Sequence, residues 1–190
     1  MAPRSKTSPL PFREDFALSC KLSAIVAVCD DWGIGRDGGM VVANKQDMRH
    51  FVSTTTGHPV IMGRKTLESF PGGRPLKNRL NIVLTRDPFF HRQGVEVAHD
   101  VAHALELVAD EDEAWVIGGA QIYRQFLPYC QEAEVTKNHC IRVADAYFPN
   151  LDEDPAWELA SQSDLATVSR GEGDEGVSFC FATYKRRQQG

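Results

Sequence analysis

Two strand-to-helix turns in this 190-residue chain have residue types suited to binding an anion. Residues 59–66 read Pro-Val-Ile-Met-Gly-Arg-Lys-Thr, an apolar run followed by a glycine, two cations and a hydroxyl. A strand that ends at the start of a helix leaves backbone N–H groups free and places the positive end of the helix dipole there. With Arg64 and Lys65 beside them, these groups could bind phosphate. A basic surface turn without a ligand is the alternative interpretation.

The second turn is Ile117-Gly118-Gly119-Ala120, where two glycines expose the backbone on which a diphosphate could lie. Taken alone, it could equally be a tight structural turn. Thr85 and Arg86 follow another apolar run and add a further hydroxyl and cation. Because the carboxyl ends of parallel strands meet at one crevice, the three strand ends together favour a phosphorylated dinucleotide as ligand.

Asp47 is the candidate for acid chemistry. At about 100° per residue, it lies beside the apolar stripe that Met48, Phe51 and Val52 form on a predicted helix. Burial at a pocket would raise the pKa of this carboxyl group and suit it to donating or sharing a proton. Acids also stabilise the first turn of many helices, so a purely structural role stays open.

Three other motifs do not fit the chemistry that they suggest. Residues 33–38 match GxGxxG, but no helix opens there and residues 53–58 hold no acid, which excludes a Rossmann fingerprint. Residues 63–66 lack the spacing of a P-loop. His99 and His103 lie four residues apart without a third ligand, so we predict no metal site. The glycines of 33–39 still predict a mobile loop or a close approach to a ligand.

Periodicity predicts a single α/β domain in which strands alternate with helices before a terminal β-hairpin. We expect a mostly parallel sheet with antiparallel pairing at one edge. The predicted strands are 22–29, 60–62, 81–84, 95–97, 114–117, 134–141 and 177–184, the last one following a turn at 171–176. Predicted helices cover 46–55, a short segment after 62, 101–108, and a segment that includes 122–127; a glycine-rich loop covers 30–44.

Composition limits the class of partner. The net charge is −5, and residues 185–187 are the only basic block, which argues against nucleic acid. No apolar run approaches the roughly 20 residues that span a bilayer, so we expect no membrane association. Five dispersed cysteines suit reduced thiols in the cytoplasm. Residues 1–20 lack the apolar run of a signal peptide and are predicted to be a flexible extension ahead of a domain at 21–187.

Together these segments resemble the dihydrofolate reductases, of the bacterial type, from residue 22 to residue 184. The most specific matches are 59–66, 116–119, and Ile34-Gly35 followed by Met40 and Asp47. The resemblance implies a central, mostly parallel eight-stranded sheet, a C-terminal antiparallel hairpin and about four flanking helices. It implies reduction of 7,8-dihydrofolate to 5,6,7,8-tetrahydrofolate, with hydride transfer from NADPH to C6 and protonation of N5. Antifolate inhibitors would be further ligands, and a monomer is implied.

The resemblance also implies residue roles. Asp47 matches the carboxylate that hydrogen-bonds the pterin ring and promotes protonation of N5. Thr136 matches the threonine that supports this carboxylate, and Met40 matches the loop methionine. Arg79 matches the arginine that pairs with the α-carboxylate of the substrate's glutamate. The remaining matches to the substrate pocket are Ile25, Val26, Met48, Phe51, Phe70, Leu76 and Ile117. Matches to the NADPH site are Ala27, Ile34, Gly35, Gly63, Arg64, Lys65, Thr66, Leu84, Thr85, Arg86, Gly118, Gly119, Gln121, Ile122 and Tyr123.

The loop before Asp47 departs from the family pattern. Val41-Val42 replaces the usual Pro-Trp, which we expect to alter rate, loop closure or antifolate binding, and Asn44-Lys45 replaces an apolar residue and a proline. Two alternatives remain. A pyrimidine-ribityl reductase of riboflavin synthesis is opposed by Asp47 and Arg79. A non-catalytic protein that binds folate or NADPH is supported by Val41-Val42 alone.

Overall fold

The computed structural model describes residues 19–187. Most of the predicted flexible extension at 1–20 therefore lies outside the described residues. Its last two residues belong to the domain: the Ser19 hydroxyl donates a hydrogen bond to the Ala109 carbonyl at 2.7 Å, and Cys20 is fully buried in the core. The folded domain thus includes residues 19 and 20, ahead of the predicted boundary at residue 21.

The main sheet has nine strands: β1 Lys21–Cys29, β4 Val60–Gly63, β5 Asn81–Leu84, β6 Glu96–Ala98, β7 Glu113–Gly118, β8 Glu132–Asn138, β10 Trp157–Gln162, β11 Ala166–Thr167 and β12 Ser178–Arg186. Eight of them follow the order β10-β12-β8-β1-β7-β4-β5-β6, and short β11 lies beside β12 as the ninth. Pairs among β8, β1, β7, β4, β5 and β6 are parallel, whereas β12 is antiparallel to β8, β10 and β11. The predicted mostly parallel sheet with an antiparallel edge is confirmed.

Four α-helices flank this sheet, as predicted: α1 Lys45–Thr55, α2 Arg64–Ser69, α3 Val101–Glu106 and α4 Ala120–Phe126. Single-turn 3-10 helices cover Pro71–Gly73 and Leu127–Tyr129. Among the described residues, no helix is long and apolar enough to cross a membrane.

A second, three-stranded sheet was not predicted. It consists of β2 Gly33–Arg36, β3 Gly39–Met40 and β9 Ala146–Tyr147 in the order β3-β2-β9. The segment predicted to be a glycine-rich loop therefore contains two short strands. The bounds predicted for the strand 134–141 were wrong, because pairing with β1 begins at Glu132 and ends at Asn138. Ile141, which was predicted to end the strand, is 76% exposed. Strand β10 was missed.

The core occupies both faces of the main sheet, which explains the nearly continuous apolar sequence of β1. Leu22, Ala24, Val26 and Val28 point to one face, where the side chains of α3 and α4 pack. Ile25 points to the other face, against a cluster that also contains Val60, Met62, Leu67, Val83, Trp115 and Ile117. This second face lies next to the functional cleft described below.

Candidate active site

A cleft of about 1550 Å³ opens beyond the carboxyl ends of β4, β5 and β7 and along the middle of β1. Such an edge is where ligands bind in open α/β sheets. Most of the predicted site residues line it: Ile25, Val26, Ala27, Ile34, Gly35, Met40, Asp47, Met48, Phe51, Gly63, Arg64, Lys65, Thr66, Phe70, Leu84, Thr85, Arg86, Ile117, Gly119, Gln121, Ile122 and Tyr123.

Four predicted site residues do not line the cleft. Thr136 is buried and hydrogen-bonds Asp47, and Leu76 packs against the core cluster beside the cleft. Gly118 lies beneath Tyr123, as described below. Arg79 donates a hydrogen bond to the Thr55 hydroxyl at 2.8 Å, and its guanidinium lies 5.8 Å from the centre of the Phe51 ring.

Asp47 is the buried acid of the cleft. It is only 7% exposed, and this burial raises the pKa of its carboxyl group above the ordinary aspartate value. The Thr136 hydroxyl, which hydrogen-bonds the carboxylate, and the nearby His50 partly oppose that rise. An acid with a raised pKa, beside a large cleft, is suited to holding or sharing a proton with a bound ligand.

Helix α1, which carries Asp47, begins at a side-chain cap. The Asn44 side-chain oxygen accepts hydrogen bonds from the backbone N–H groups of Gln46 at 2.9 Å and of Asp47 at 3.4 Å. Asparagine is among the preferred residues at this position. Asn44, which stands where the resemblance implies an apolar residue, therefore supplies a well-formed helix start shortly before the acid.

The segment before α1 is also fixed by the turn at 171–176. The Lys45 N–H donates to the Glu172 carbonyl at 2.8 Å, and the Asp174 N–H donates to the Ala43 carbonyl at 2.8 Å. The Ala43 N–H donates in return to the Asp174 carboxylate at 3.1 Å. An ion pair of 2.6 Å between Arg49 and Glu172 adds to these contacts. A distant turn thus determines where the helix begins.

The opposite side of the cleft carries cations. Arg64, at the first position of α2, pairs with Asp87 at 3.2 Å and with Glu68 at 3.5 Å. Lys65 and Arg86 are exposed and form no ion pair with any residue between 19 and 187. Thr66 and Thr85 add hydroxyl groups to the same surface. This arrangement could hold one or more phosphate groups, for which Arg64 would exchange a carboxylate partner.

The two glycines at the end of β7, Gly118 and Gly119, permit close packing. Gly118 has φ +105°, and a Cβ added to it would lie 2.8 Å from the Tyr123 ring. The Tyr123 hydroxyl donates a hydrogen bond of 2.7 Å to the Ile25 carbonyl. A larger residue at position 118 would push Tyr123 away from β1. The peptide bond between Gly118 and Gly119 is cis.

Sequence reasoning missed several cleft residues. Asp145 lies beside β9, and its backbone N–H donates a hydrogen bond to the Gly35 carbonyl at 2.9 Å. Its carboxylate accepts a hydrogen bond from the Asp37 N–H at 2.9 Å, so the two segments that meet here are more than a hundred residues apart in sequence. His99 and Asp100 follow β6, and Asp100 caps α3, so the strand-end argument used for the other turns could have found them. Gly38 and Gly39 also line the cleft and belong to the segment for which a mobile loop or a close approach to a ligand was predicted; the missed residues are Arg36, Ser69, Pro71, His99, Asp100, Val101, Ala102, Ala120, Gln125, Asp145 and Ala146.

Comparisons with known proteins agree with this geometry. A family model described as dihydrofolate reductase matches residues 21–186. The dihydrofolate reductase of Staphylococcus haemolyticus is 38% identical over 168 residues, which cover 87% of this chain and 96% of that protein. That of Bacillus subtilis (strain 168) is 39% identical over 140 residues, 74% of this chain and 82% of that protein.

A solved structure gives the same result. Dihydrofolate reductase from Enterococcus faecalis, complexed with NADP(H) and RAB-propyl, superposes with a TM-score of 0.79 at 29% sequence identity, covering 88% of this chain and 97% of that one. Fold, cleft and sequence similarity therefore agree. The chain belongs to the dihydrofolate reductase family.

Proposed function

We propose that this protein reduces 7,8-dihydrofolate to 5,6,7,8-tetrahydrofolate, with NADPH as the reductant. Family membership supports the reaction, and the Enterococcus faecalis relative is complexed with NADP(H). The observation that carries the proposal is the pairing, on one cleft, of the buried acid Asp47 with the cationic surface of Arg64, Lys65 and Arg86. A pyrimidine-ribityl reductase and a non-catalytic binding protein remain the alternatives that the experiment below must exclude.

The residues of the cleft fit the cofactor. Gly63 and Gly119 bring backbone close to the cleft floor, since a Cβ on Gly63 would lie 3.1 Å from Ile122 and one on Gly119 would lie 3.6 Å from Thr66. We assign the diphosphate to this glycine-lined region. We assign the 2′-phosphate to Arg64 and the neighbouring Thr85 and Arg86, because a dianion favours paired cations. When bound, NADPH supplies a hydride for C6 of the dihydropterin.

The substrate side is apolar around one acid. Ile25, Met48, Phe51 and Ile117 line this part of the cleft, and exclusion of water by such side chains strengthens electrostatic interactions inside the site. In the proposed role, Asp47 hydrogen-bonds the pterin ring and favours the protonated form of N5. Its raised pKa suits that role.

Two neighbours support this arrangement. The Thr136 hydroxyl orients the Asp47 carboxylate through their hydrogen bond. Arg79 is the proposed partner of the substrate's α-carboxylate. Its guanidinium lies beside the Phe51 ring and is hydrogen-bonded to the Thr55 hydroxyl, so it would have to turn toward the cleft to bind the substrate.

The experiment follows NADPH oxidation with dihydrofolate as substrate. We expect turnover by the wild type, a loss of about 10²- to 10⁴-fold in kcat for Asp47→Asn at neutral pH, and no change for the exposed acid variant Asp110→Asn. Tight binding of both ligands without turnover would favour the binding-protein alternative. Equal turnover by Asp47→Asn and wild type would contradict the role given to Asp47.

We also propose a reducing, cytoplasmic location and a monomeric state. All five cysteines are free thiols, which supports the first. The domain proposed to carry the activity is 21–187, together with the two ordered residues before it. Sedimentation of the full chain tests the monomer, and a concentration-dependent increase in mass would contradict it.

A further inference from the structure

Two of the five thiols lie against each other where two neighbouring strands end. The sulfur atoms of Cys29, at the end of β1, and Cys140, two residues beyond β8, are 3.7 Å apart. The backbone holds the pair in this position, because the Asp30 N–H donates to the Cys140 carbonyl at 3.0 Å. Cys29 is 2% exposed and Cys140 is half-buried, so Cys140 is the more exposed residue of the pair.

The other cysteines have different surroundings. Cys180 lies on β12, with its sulfur 3.8 Å from His139 Nε2, and Cys20 and Cys130 are buried in the main core cluster. Between residues 19 and 187, no three His, Cys, Asp or Glu side chains are arranged to hold a metal ion. The close contact between Cys29 and Cys140 therefore points to thiol chemistry rather than to metal binding.

We propose that Cys29 and Cys140 form a redox-active pair, which a small-molecule disulfide converts to an intrachain disulfide. A disulfide bond of about 2.05 Å requires the two sulfur atoms to approach from their present contact. Since both residues lie at strand ends rather than within a strand, rotation of the half-buried Cys140 side chain can supply that approach. The proposal is independent of the reductase activity.

The reaction occurs in two exchanges. The Cys140 thiolate attacks the small-molecule disulfide, forms a mixed disulfide and releases one thiolate. The Cys29 thiolate then attacks the Cys140 sulfur and expels the second thiolate. The two protons lost by the cysteines go to the released thiolates, and the two electrons reduce the small disulfide to two thiols.

The order of attack follows from exposure. Burial raises the pKa of the Cys29 thiol to about 12, so little of it is thiolate at neutral pH. Cys140 is the more exposed residue of the two and reacts first, and Cys29 resolves the mixed disulfide from inside the protein.

The disulfide would join the bases of two segments that line the cleft. Residues 30–40 leave β1 directly after Cys29, and residues 141–146 follow Cys140 and include the cleft residues Asp145 and Ala146. Cys29 and Cys140 are 111 residues apart in sequence, so a cross-link between them closes a long loop. Closing such a loop strongly reduces the conformational entropy of the unfolded chain. Oxidation of this pair therefore raises the free energy of unfolding of the domain.

The test treats the full-length protein with oxidised glutathione and maps the products by mass spectrometry under non-reducing conditions. We expect the titratable thiols to fall from five to three, with one peptide pair joined through Cys29 and Cys140. The oxidised protein should melt about 10 °C higher than the reduced protein, and dithiothreitol should reverse the shift.

Variants identify the two partners. Cys29→Ala should stop at a mixed disulfide on Cys140, Cys140→Ser should leave position 29 unmodified, and the control Cys180→Ala should still cross-link. If Cys29→Ala does not fold, Cys140→Ser alone decides. Three results would overturn the proposal. They are retention of all five free thiols, a stable mixed disulfide in the wild type, and a cross-link that joins Cys140 to Cys180.

Discussion

Gly173→Ala tests whether the turn at 171–176 positions the start of α1. Gly173 has φ +133°, a conformation that is essentially restricted to glycine, and a Cβ there would overlap the Ala43 carbonyl oxygen. The alanine variant must therefore move the turn away from Ala43. That movement breaks or lengthens the hydrogen bonds that join Ala43 to Asp174 and Lys45 to Glu172.

The expected magnitude combines two effects. The backbone conformation alone costs an alanine about 2 kcal/mol. The three hydrogen bonds named above, those between Ala43 and Asp174 and between Lys45 and Glu172, are each worth about 1 kcal/mol net, and partial relaxation leaves a loss of about 2 kcal/mol. The free energy of unfolding should therefore fall by about 4 kcal/mol, which lowers Tm by about 12 °C in a chain of this size.

Gly171→Ala is the matched control. Gly171 lies in the same turn with φ +80°, but a Cβ there would meet no atom within 4 Å. Its cost is the backbone effect alone, about 1 kcal/mol, or about 3 °C in Tm.

Thermal unfolding followed by circular dichroism measures both variants, and kcat/KM for dihydrofolate reports on Asp47. We expect kcat/KM to fall about tenfold in Gly173→Ala and to stay at the wild-type value in Gly171→Ala, a difference of about 1.4 kcal/mol. Equal melting temperatures for the two variants would refute the reasoning, because the contact with Ala43 would then carry no energy.

Two further predictions concern the charged groups of the cleft. Because burial raises the pKa of Asp47, the folded state binds a proton more tightly than the unfolded state, so wild-type stability falls as the pH rises above the ordinary carboxyl value of about 4. Asp47→Asn lacks this loss, so its Tm should exceed that of the wild type by an amount that grows from acid to neutral pH; a constant difference would contradict burial of the charge. Arg64→Ala should raise KM for NADPH about 10- to 100-fold with little effect on NADH. Asp87→Asn, which frees Arg64 from its ion pair, should lower KM for NADPH, and an unchanged ratio between the two cofactors in both variants would exclude the 2′-phosphate role.

Local sequence patterns predicted the elements whose residues are buried. Strand β5 has the predicted bounds, and all four of its residues are buried. Strand β10 gave no such signal, because Trp157 is its only buried residue and the rest face solvent. Its place in the sheet depends on pairing with β12, and pairing between distant segments leaves no local pattern.

The same distinction applies to the site. Strand ends next to glycines and cations identified the residues around Arg64 and Gly119, because the turn chemistry is contained in a few consecutive residues. The contacts of Asp145 with the 33–37 segment, and of the turn at 171–176 with Ala43, join residues more than a hundred positions apart. Such contacts follow from the three-dimensional arrangement of the sheet, which periodicity alone does not specify.

The position of β12 has a consequence for the synthesis of the protein. Although β12 covers residues 178–186, it lies between β10 and β8, and its Phe181 pairs with Thr136, the partner of Asp47. On the ribosome, β8 therefore keeps an unpaired edge until residues 178–186 have emerged, and such an edge invites association with other chains. The acid of the cleft therefore acquires its complete surroundings only after residues 178–186 have been synthesised and have paired with β8.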